Sequence, residues 1–323
     1  MTPTFEIKIY DDELLNRQQL IDFLANNQDS VNIILKVIEG PSLYQCGAMD
    51  IIVQSGVAHR IKLHTQNWEE SIAPMTHLHE KRLKYDSSFW KYGTQVMQEH
   101  KFNNTSLNNH HRMACFIGRK NIDRLAIMYW LSKQPYDVMM SSLQSEIIWS
   151  SRSDLHLWVD NTYAFEKWCK SFNIPSIDDY TVRDQYHSKD FVVGNNQFQQ
   201  VQFNLLKYYS AFDVELVAET FVRGSTFFPT EKTIRPIIGA KPMLVYGPKH
   251  YLTNLKKLGF NTWGKFWDES YDHYEGAERW ARMQLVIQQI HAWADHQWQD
   301  ILDELLGISL NNAEHYRNNA DVY

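Results

Sequence analysis

The chain has 323 residues, more than the ~250–300 at which a single hydrophobic core usually stops growing, so we expect two domains with a cleft between them. Its composition is 44% hydrophobic and 14% aromatic, which excludes a disordered chain. A net charge of −6 lacks the simplest signature of nucleic-acid binding, although a local basic cleft remains an open alternative.

The sequence predicts neither a disulfide framework nor a membrane segment. Its three cysteines, Cys46, Cys115 and Cys169, are odd in number and widely spaced, so we expect buried free thiols. The first residues have no basic region followed by an apolar run, and no apolar stretch reaches the ~20 residues of a membrane span. We therefore expect a cytoplasmic protein.

The N-terminal third predicts strands over residues 5–10 and 31–37 around an amphipathic helix over 12–26. Residues 68–109 show poor periodicity and many polar residues, which indicates irregular surface. We expect this part to end at a domain boundary after residue 111.

A strand-turn-helix pattern begins at residue 113, with a strand over 113–117 and a helix over 122–131. The pattern recurs as a strand over 212–219, a helix over 230–238 and a strand over 242–246, followed by a short helix over 251–258. Strands that alternate with helices at this spacing predict a parallel sheet. A long amphipathic helix is predicted over 277–306, and a flexible polar tail over 311–323.

The clearest chemistry lies at the start of the helix predicted over 230–238. Thr230 is a good N-cap for a first turn that holds Glu231 and Lys232, where unpaired backbone N–H groups and the helix dipole favour an anion. Thr233 completes the turn. A diphosphate fits there, with Lys232 adding positive charge and Glu231 accepting hydrogen bonds from ribose hydroxyls. The alternative is that both side chains are simply solvated.

This segment also carries a family resemblance. Residues 227–248, FFPTEKTIRPIIGAKPMLVYGP, resemble the donor-binding segment of GT-B-type glycosyltransferases. They are most similar to a group of largely phage-encoded glycosyltransferase-like proteins, and more distantly similar to the fucosyltransferase family. Further stretches similar to the phage group are FIGR at 116–119 with Arg124 after it, FDVELVAET at 212–220, and LGF at 258–260 leading to WDESYD at 267–272.

The resemblance covers residues 113–305 and implies an α/β fold of the GT-B type, with two Rossmann-like domains. Residues 1–111 would form the acceptor-side domain and residues 112–310 the nucleotide-sugar domain, with the helix over 277–306 packing back toward the N-terminal part. The implied activity is transfer of a hexosyl or pentosyl group from a UDP- or GDP-sugar to an acceptor hydroxyl. No metal and no further cofactor are expected.

The resemblance also assigns roles to residues. It implies that Glu231 and Lys232 contact the ribose and phosphates of the donor, with Arg119 as a second phosphate ligand. Positive charge near the departing phosphate stabilises the transition state, and Arg235 is a further candidate for it, or else an ion-paired helix residue. Glu219, at the carboxyl end of a predicted strand, is a candidate for the sugar contact or a cap of a neighbouring helix.

The sequence defines the general base and any metal site less clearly than the donor site. An inverting enzyme needs a base near the acceptor hydroxyl, and the nominees are Asp50, His64, Glu69 and Glu70. The histidines at 77, 79, 110 and 111 match no known ligand spacing, so we expect no metal.

Two classes of function follow from the resemblance. In the first, an enzyme in the host cytoplasm of a phage modifies a hydroxymethylated DNA base, a glycan, a protein or a small molecule. The basic residues at 81, 82, 84, 100 and 101 leave DNA as a possible acceptor, although the acidic net charge disfavours it. In the second, a non-catalytic protein keeps the fold and binds a nucleotide or a partner.

Overall fold

The computed structural model describes residues 2–10, 13–27, 29–35, 43, 46–65, 79–82, 111–117, 122–142, 204–219, 222, 224 and 226–319. The chain divides into two units, Met1–Ser87 with Arg223–Phe228, and Ser88–Val222 with Pro229–Tyr323. Each unit contains a four-stranded parallel sheet and helices, so the α/β class predicted from the sequence is confirmed.

The elements of the first unit are β1 (Thr4–Ile7), the antiparallel pair β2 (Ile9–Tyr10) and β3 (Glu13–Leu14), α1 (Arg17–Asn26), β4 (Val31–Leu35), α2 (Ala48–Gln54), β5 (Ile61–Thr65) and β6 (His79–Arg82). Its four-stranded sheet has the order β1-β4-β5-β6, and all neighbours are parallel. The strand predicted over 31–37 is found as β4, and the predicted helix is found with a later start, whereas the strand predicted over 5–10 is divided into β1 and β2.

The core of the first unit explains why these segments pair. Val31 and Ile33 of β4 and Ile61 and Leu63 of β5 are buried at alternate positions, so they line one face of the sheet. β6 corrects the expectation of irregular surface over 68–109, because its HEKR sequence is polar yet pairs in register with β5. Main-chain pairing stabilises this strand without the hydrophobic alternation by which strands are usually predicted.

The elements around the sheet of the second unit are β7 (His111–Ile117), α3 (Ile122–Lys133), β8 (Val138–Ser142), β9 (Phe212–Ala218), α4 (Glu231–Ile238), β10 (Met243–Tyr246) and α5 (Tyr251–Lys257). The sheet has the order β10-β9-β7-β8, again with all neighbours parallel. The predicted strand-turn-helix pattern is confirmed, and β8 is the one strand of this sheet that the sequence analysis did not anticipate.

The long helix predicted over 277–306 is two helices, α6 (Gly276–Ala292) and α7 (Asp295–Asn319). Trp293 is extended, and Arg112 of β7 donates hydrogen bonds to the carbonyls of Ile290 and Trp293 at 2.9 and 2.6 Å and to the Asp295 carboxylate at 2.6 Å. The hydrophobic repeat continues through the break, which is why the sequence predicts one helix. No helix in the described part of the chain is long and apolar enough to cross a membrane.

α7 also runs through most of the segment predicted to be a flexible tail from residue 311, and ends at Asn319. Its polar residues are held by tertiary contacts, since the Asn312 side chain bonds both the N–H and the carbonyl of Asn261 at 2.8 Å. Tyr316 is fully buried. α6 packs against β10 and α7 against α4, while the predicted packing toward the N-terminal part stays a prediction.

A buried charged group lies near the amino end of β9. Lys241, between α4 and β10, is 1% exposed, and its ammonium lies 5.5 Å from the centre of the Phe212 ring. Burial lowers the pKa of Lys241 to about 8, and the nearby Asp213 carboxylate only partly opposes this shift. Asp213 also accepts a hydrogen bond of 2.8 Å from the Trp298 indole of α7.

The pKa shift of Lys241 predicts a pH dependence of stability. Its folded pKa of about 8 lies below the unfolded value of 10.5, so above about pH 8 the folded state releases a proton that the unfolded state keeps. The stability contributed by this group is present above pH 10.5 and is lost as the pH falls through 8. Urea unfolding of wild type should therefore show a contribution rising by about 2 kcal/mol from pH 8 to pH 10.

Lys241→Met should lack this rise, while Lys265→Met, at a lysine whose side chain is 66% exposed, should keep it. The comparison is between variants at each pH, so other groups that titrate in the same range cancel. An equal rise in wild type and Lys241→Met would show that this lysine does not titrate differently in the folded state.

Candidate functional site

The strand order of the second unit reverses between β7 and β9. From β7 the chain adds β8 on one side, and it then returns to add β9 and β10 on the other. In open parallel sheets such a reversal leaves a crevice at the carboxyl ends of the two strands, and ligands bind there. β7 ends at Ile117 and β9 at Ala218, so the next residues, Gly118-Arg119 and Glu219, follow the two strands that flank the reversal.

Thr230 fixes the first turn of α4 beside the end of β9. Its backbone is extended and its hydroxyl oxygen accepts a hydrogen bond of 3.2 Å from the N–H of Lys232, which confirms the predicted N-cap. The same hydroxyl donates to Glu219 Oε2 at 2.7 Å. A side chain at the end of β9 therefore determines where α4 begins.

Glu231 and Lys232 form a buried ion pair at this turn. Lys232 Nζ lies 2.5 Å from Glu231 Oε1 and 3.3 Å from Thr230 Oγ1. Glu231 is 0% exposed and Lys232 4%, so the solvated alternative for these residues does not apply. Burial alone would raise the pKa of Glu231, but the Lys232 ammonium and main-chain hydrogen bonding outweigh it and hold the pKa below its usual range.

The second carboxylate oxygen of Glu231, Oε2, differs from Oε1 in its hydrogen bonding. Within the part of the chain that the structure describes, Glu231 Oε2 is buried and has no hydrogen-bond partner. An ionised carboxylate only accepts hydrogen bonds, and leaving a buried acceptor unsatisfied costs about 1–3 kcal/mol. This oxygen is therefore suited to a donor from outside, such as a ligand hydroxyl or a water molecule.

The backbone N–H groups of this turn differ from what the sequence predicts. We expected them to be available to a phosphate, but the N–H groups of Thr233 and Ile234 both donate to the Thr230 carbonyl at 3.1 Å. The N–H of Lys232 is taken by the Thr230 hydroxyl, and that of Thr230 donates to Glu219 at 3.3 Å. Capping has satisfied these four groups internally, so an anion at this turn would depend mainly on the Lys232 ammonium.

Glu219 is hydrogen-bonded on both oxygens. Oε1 accepts from the N–H of Thr230 at 3.3 Å, from the Thr233 hydroxyl at 2.5 Å and from the Tyr251 hydroxyl at 2.7 Å. Oε2 accepts from the Thr230 hydroxyl at 2.7 Å. Each carboxylate oxygen has about two lone-pair sites, so Oε1 is fully used by its three donors, whereas Oε2 keeps one site but is buried with the rest of the side chain, which is 1% exposed. The sequence left two roles open for Glu219, a contact to the sugar or a cap of a neighbouring helix. The described hydrogen bonds are those of a helix cap.

Arg235 likewise adopts the second of its two predicted roles. Its guanidinium is fully buried, pairs with Glu215 of β9 and donates to the Tyr209 hydroxyl at 3.1 Å. Burial alone would lower the pKa of Arg235, but Glu215 and Tyr209 raise it above its usual value. The group belongs to the packing between α4 and β9.

The acidic segment 267–272 supports local structure. Asp272 accepts hydrogen bonds from the N–H groups of Leu252 and Thr253 at 2.9 and 3.0 Å and so caps α5. Glu269 accepts from the N–H of Trp263 at 2.8 Å and from the Thr262 hydroxyl at 2.6 Å. Asp272 thus fixes the start of α5, and Glu269 fixes the loop at residues 262–263.

Other predicted residues are not brought to this turn by the described contacts. Arg119, Glu69 and Glu70 lie outside the described residues, as do the basic positions 84, 100 and 101 and the histidines at 77 and 110. Asp50 lies exposed on α2, and His64 lies on β5, both in the first unit. Among the residues that the structure covers, no three histidine, cysteine or acidic side chains are grouped to hold a metal ion.

Two residues near the site were not predicted. Tyr251, the first residue of α5, brings its hydroxyl to Glu219, and Arg124 of α3 is 1% exposed and donates to the Ala218 carbonyl at 3.0 Å. The sequence marks Arg124 only through the resemblance. Tyr251 has no local signal, because its role depends on β10 and β9 being neighbours.

The ion pair of Arg235 predicts a large effect on stability rather than on ligand binding. Arg235→Met should lower the free energy of unfolding by about 3–5 kcal/mol, because Glu215 would stay buried without its counter-charge. The double variant Glu215→Gln/Arg235→Met should recover part of this loss. Arg282→Met removes a partly exposed pair with Glu278 and should cost less than about 1 kcal/mol in the same denaturant titration. Near-wild-type stability of Arg235→Met would contradict the assignment.

Comparisons of the chain with protein-family models, with curated proteins and with solved structures found no match. The function of the chain is therefore inferred from its residues and their geometry.

Proposed function

We propose that the second unit binds a nucleotide-sugar and that the protein is a glycosyltransferase of the GT-B type. The observation that carries the proposal is the buried Glu231–Lys232 pair at the carboxyl edge of a parallel sheet, with one carboxylate oxygen lacking a partner among the described residues. Such a turn offers one positive charge and one strong acceptor within a few ångströms. Those are the groups that a nucleoside diphosphate needs for its phosphates and its ribose.

Each residue of the pair has a separate task in this proposal. Glu231 Oε2 accepts a hydrogen bond from a ribose hydroxyl, which satisfies the buried oxygen. Lys232 exchanges part of its contact with Glu231 for a phosphate oxygen of the donor. Arg119, two residues after the end of β7 in the sequence, is proposed to add a second positive charge at the phosphates.

The proposed reaction is displacement at the anomeric carbon. The bond between this carbon and the diphosphate oxygen breaks, its electron pair stays on the diphosphate, and an acceptor oxygen forms the new bond while its proton passes to a base. Negative charge therefore grows on the diphosphate as the bond breaks, and the Lys232 ammonium stabilises it. Since the pair is buried, this interaction is screened little by solvent.

In a GT-B arrangement the first parallel-sheet domain would supply contacts to the acceptor, which we propose to be a hydroxyl of a modified DNA base or a glycan. The alternative is a non-catalytic protein that binds the nucleotide and does not turn it over. Slow hydrolysis in a panel of nucleotide-sugars would separate the two and identify the donor. Binding of a nucleotide-sugar without hydrolysis or transfer would favour the alternative.

The proposal predicts a ligand-dependent stability. A nucleoside diphosphate that binds only the folded state should stabilise the protein by about 2.7 kcal/mol at a hundredfold excess over its dissociation constant. Thermal unfolding should be followed with UDP, GDP and their sugar derivatives over a range of concentrations. If none of them shifts the transition, the donor site is not at this turn.

The two residues of the pair should differ in their kinetic effects. Lys232→Ala should lower kcat, because the lost charge acts mostly in the transition state, whereas Glu231→Ala should mainly raise KM, because ribose hydroxyls keep their charge throughout. Losing a charged hydrogen-bond partner is worth about 1.5–3 kcal/mol, or roughly one to two powers of ten. Initial rates under donor saturation measure both effects.

The matched control is Lys265→Ala, which removes an exposed lysine paired with Glu304 and should leave both constants unchanged. If Lys232→Ala turns over at the wild-type rate when saturated, this lysine only docks the donor. Leaving-group stabilisation would then have to come from Arg119.

A further inference from the structure

We propose that Glu219 is a positioning residue for the donor site, acting through α4 rather than touching the sugar. The inference rests on the proposed function and deepens it. Glu219 is 1% exposed and directly follows β9, beside the strand reversal. Its four hydrogen bonds reach both α4 and α5, so one carboxylate joins three elements of the second unit.

The contacts of Glu219 with α4 lie on either side of Glu231 and Lys232, the two residues proposed to bind the donor. Thr230 precedes Glu231 and Thr233 follows Lys232, and the hydroxyls of both threonines donate to Glu219 at 2.7 and 2.5 Å. The first turn is therefore held at both ends by the same carboxylate. A shift of this turn would move the charge of Lys232 and the open oxygen of Glu231 together.

α5 adds the third anchor. The Tyr251 hydroxyl lies 2.7 Å from Glu219 Oε1 and 2.8 Å from Thr233 Oγ1. Glu219 Oε1, Thr233 Oγ1 and the Tyr251 hydroxyl oxygen therefore all lie within hydrogen-bond distance of one another. The three contacts between them share the two hydroxyl hydrogens of Thr233 and Tyr251. Gly247 allows this approach, because a Cβ at that position would lie 2.9 Å from the Tyr251 ring.

Glu219→Gln tests the role with little change in volume. The amide replaces one acceptor oxygen by a donor, which would face a hydroxyl or an N–H group that now donates to the carboxylate. We expect the first turn to shift and the affinity for a nucleoside diphosphate to fall about ten- to a hundredfold, in line with the loss of a charged hydrogen-bond partner. The affinity for the corresponding nucleotide-sugar should fall by the same factor, because the sugar itself has lost no contact.

Calorimetric titration of UDP, GDP and their sugar derivatives, at a temperature where every variant is folded, measures these affinities. The matched control is Glu269→Gln, which removes a carboxylate that accepts three hydrogen bonds in a loop of the same unit. It should lower the melting temperature and keep the wild-type dissociation constants. Tyr251→Phe removes a single donor to Glu219 and should weaken binding by about two- to tenfold, which keeps the test available if Glu219→Gln does not fold.

These measurements distinguish a failure of the positioning role of Glu219 from a failure of nucleotide binding itself. Loss of nucleotide-sugar affinity with unchanged affinity for the nucleoside diphosphate would make Glu219 a direct sugar contact and overturn the positioning role. Unchanged affinities for both ligands in Glu219→Gln, or in Tyr251→Phe if it alone folds, would also overturn it. If wild type binds no nucleotide, the proposed function fails, and this inference fails with it.

Discussion

The second unit depends on the pairing of carboxylates buried along one strand. Asp213, Glu215 and Glu219 lie on the same side of β9 and its extension, because alternate residues of a strand face the same way. Each is at most 1% exposed. Unpaired charges at such positions would be prohibitively costly, so each carboxylate requires donors from a neighbouring element.

Those donors come from different helices, and the pairing therefore specifies how the helices dock. Asp213 bonds the indole of Trp298 in α7, Glu215 pairs with α4 near its carboxyl end, and Glu219 bonds the amino end of α4 and the start of α5. Hydrophobic packing tolerates small displacements between elements, whereas charged hydrogen bonds depend strongly on distance and direction. The strand thus positions α4 at two points along its length.

Much of this arrangement was predictable from local sequence patterns, and the exceptions have physical causes. The strands β7, β9 and β10, the helices α3 and α4, and the Thr230 cap follow from periodicity and capping chemistry. β6 is too polar to be recognised, and the break between α6 and α7 depends on Arg112, far away in the sequence. The turn of Glu231 and Lys232 was identified, but the roles of Arg235 and Tyr251 depend on tertiary neighbours that no local pattern contains.

The contact of Arg112 with the junction of α6 and α7 has a consequence for how this protein folds. Its hydrogen bonds to Ile290 and Trp293 join residues separated by 178 and 181 positions in the chain. Contacts of such long sequence separation carry a large loop-closure cost before they form, which slows folding. During synthesis β7 emerges long before the junction of α6 and α7, so the hydrogen bonds of Arg112 must wait for that junction. At about 5–20 residues per second, this interval lasts on the order of ten to forty seconds, a period in which the incomplete sheet is vulnerable to aggregation.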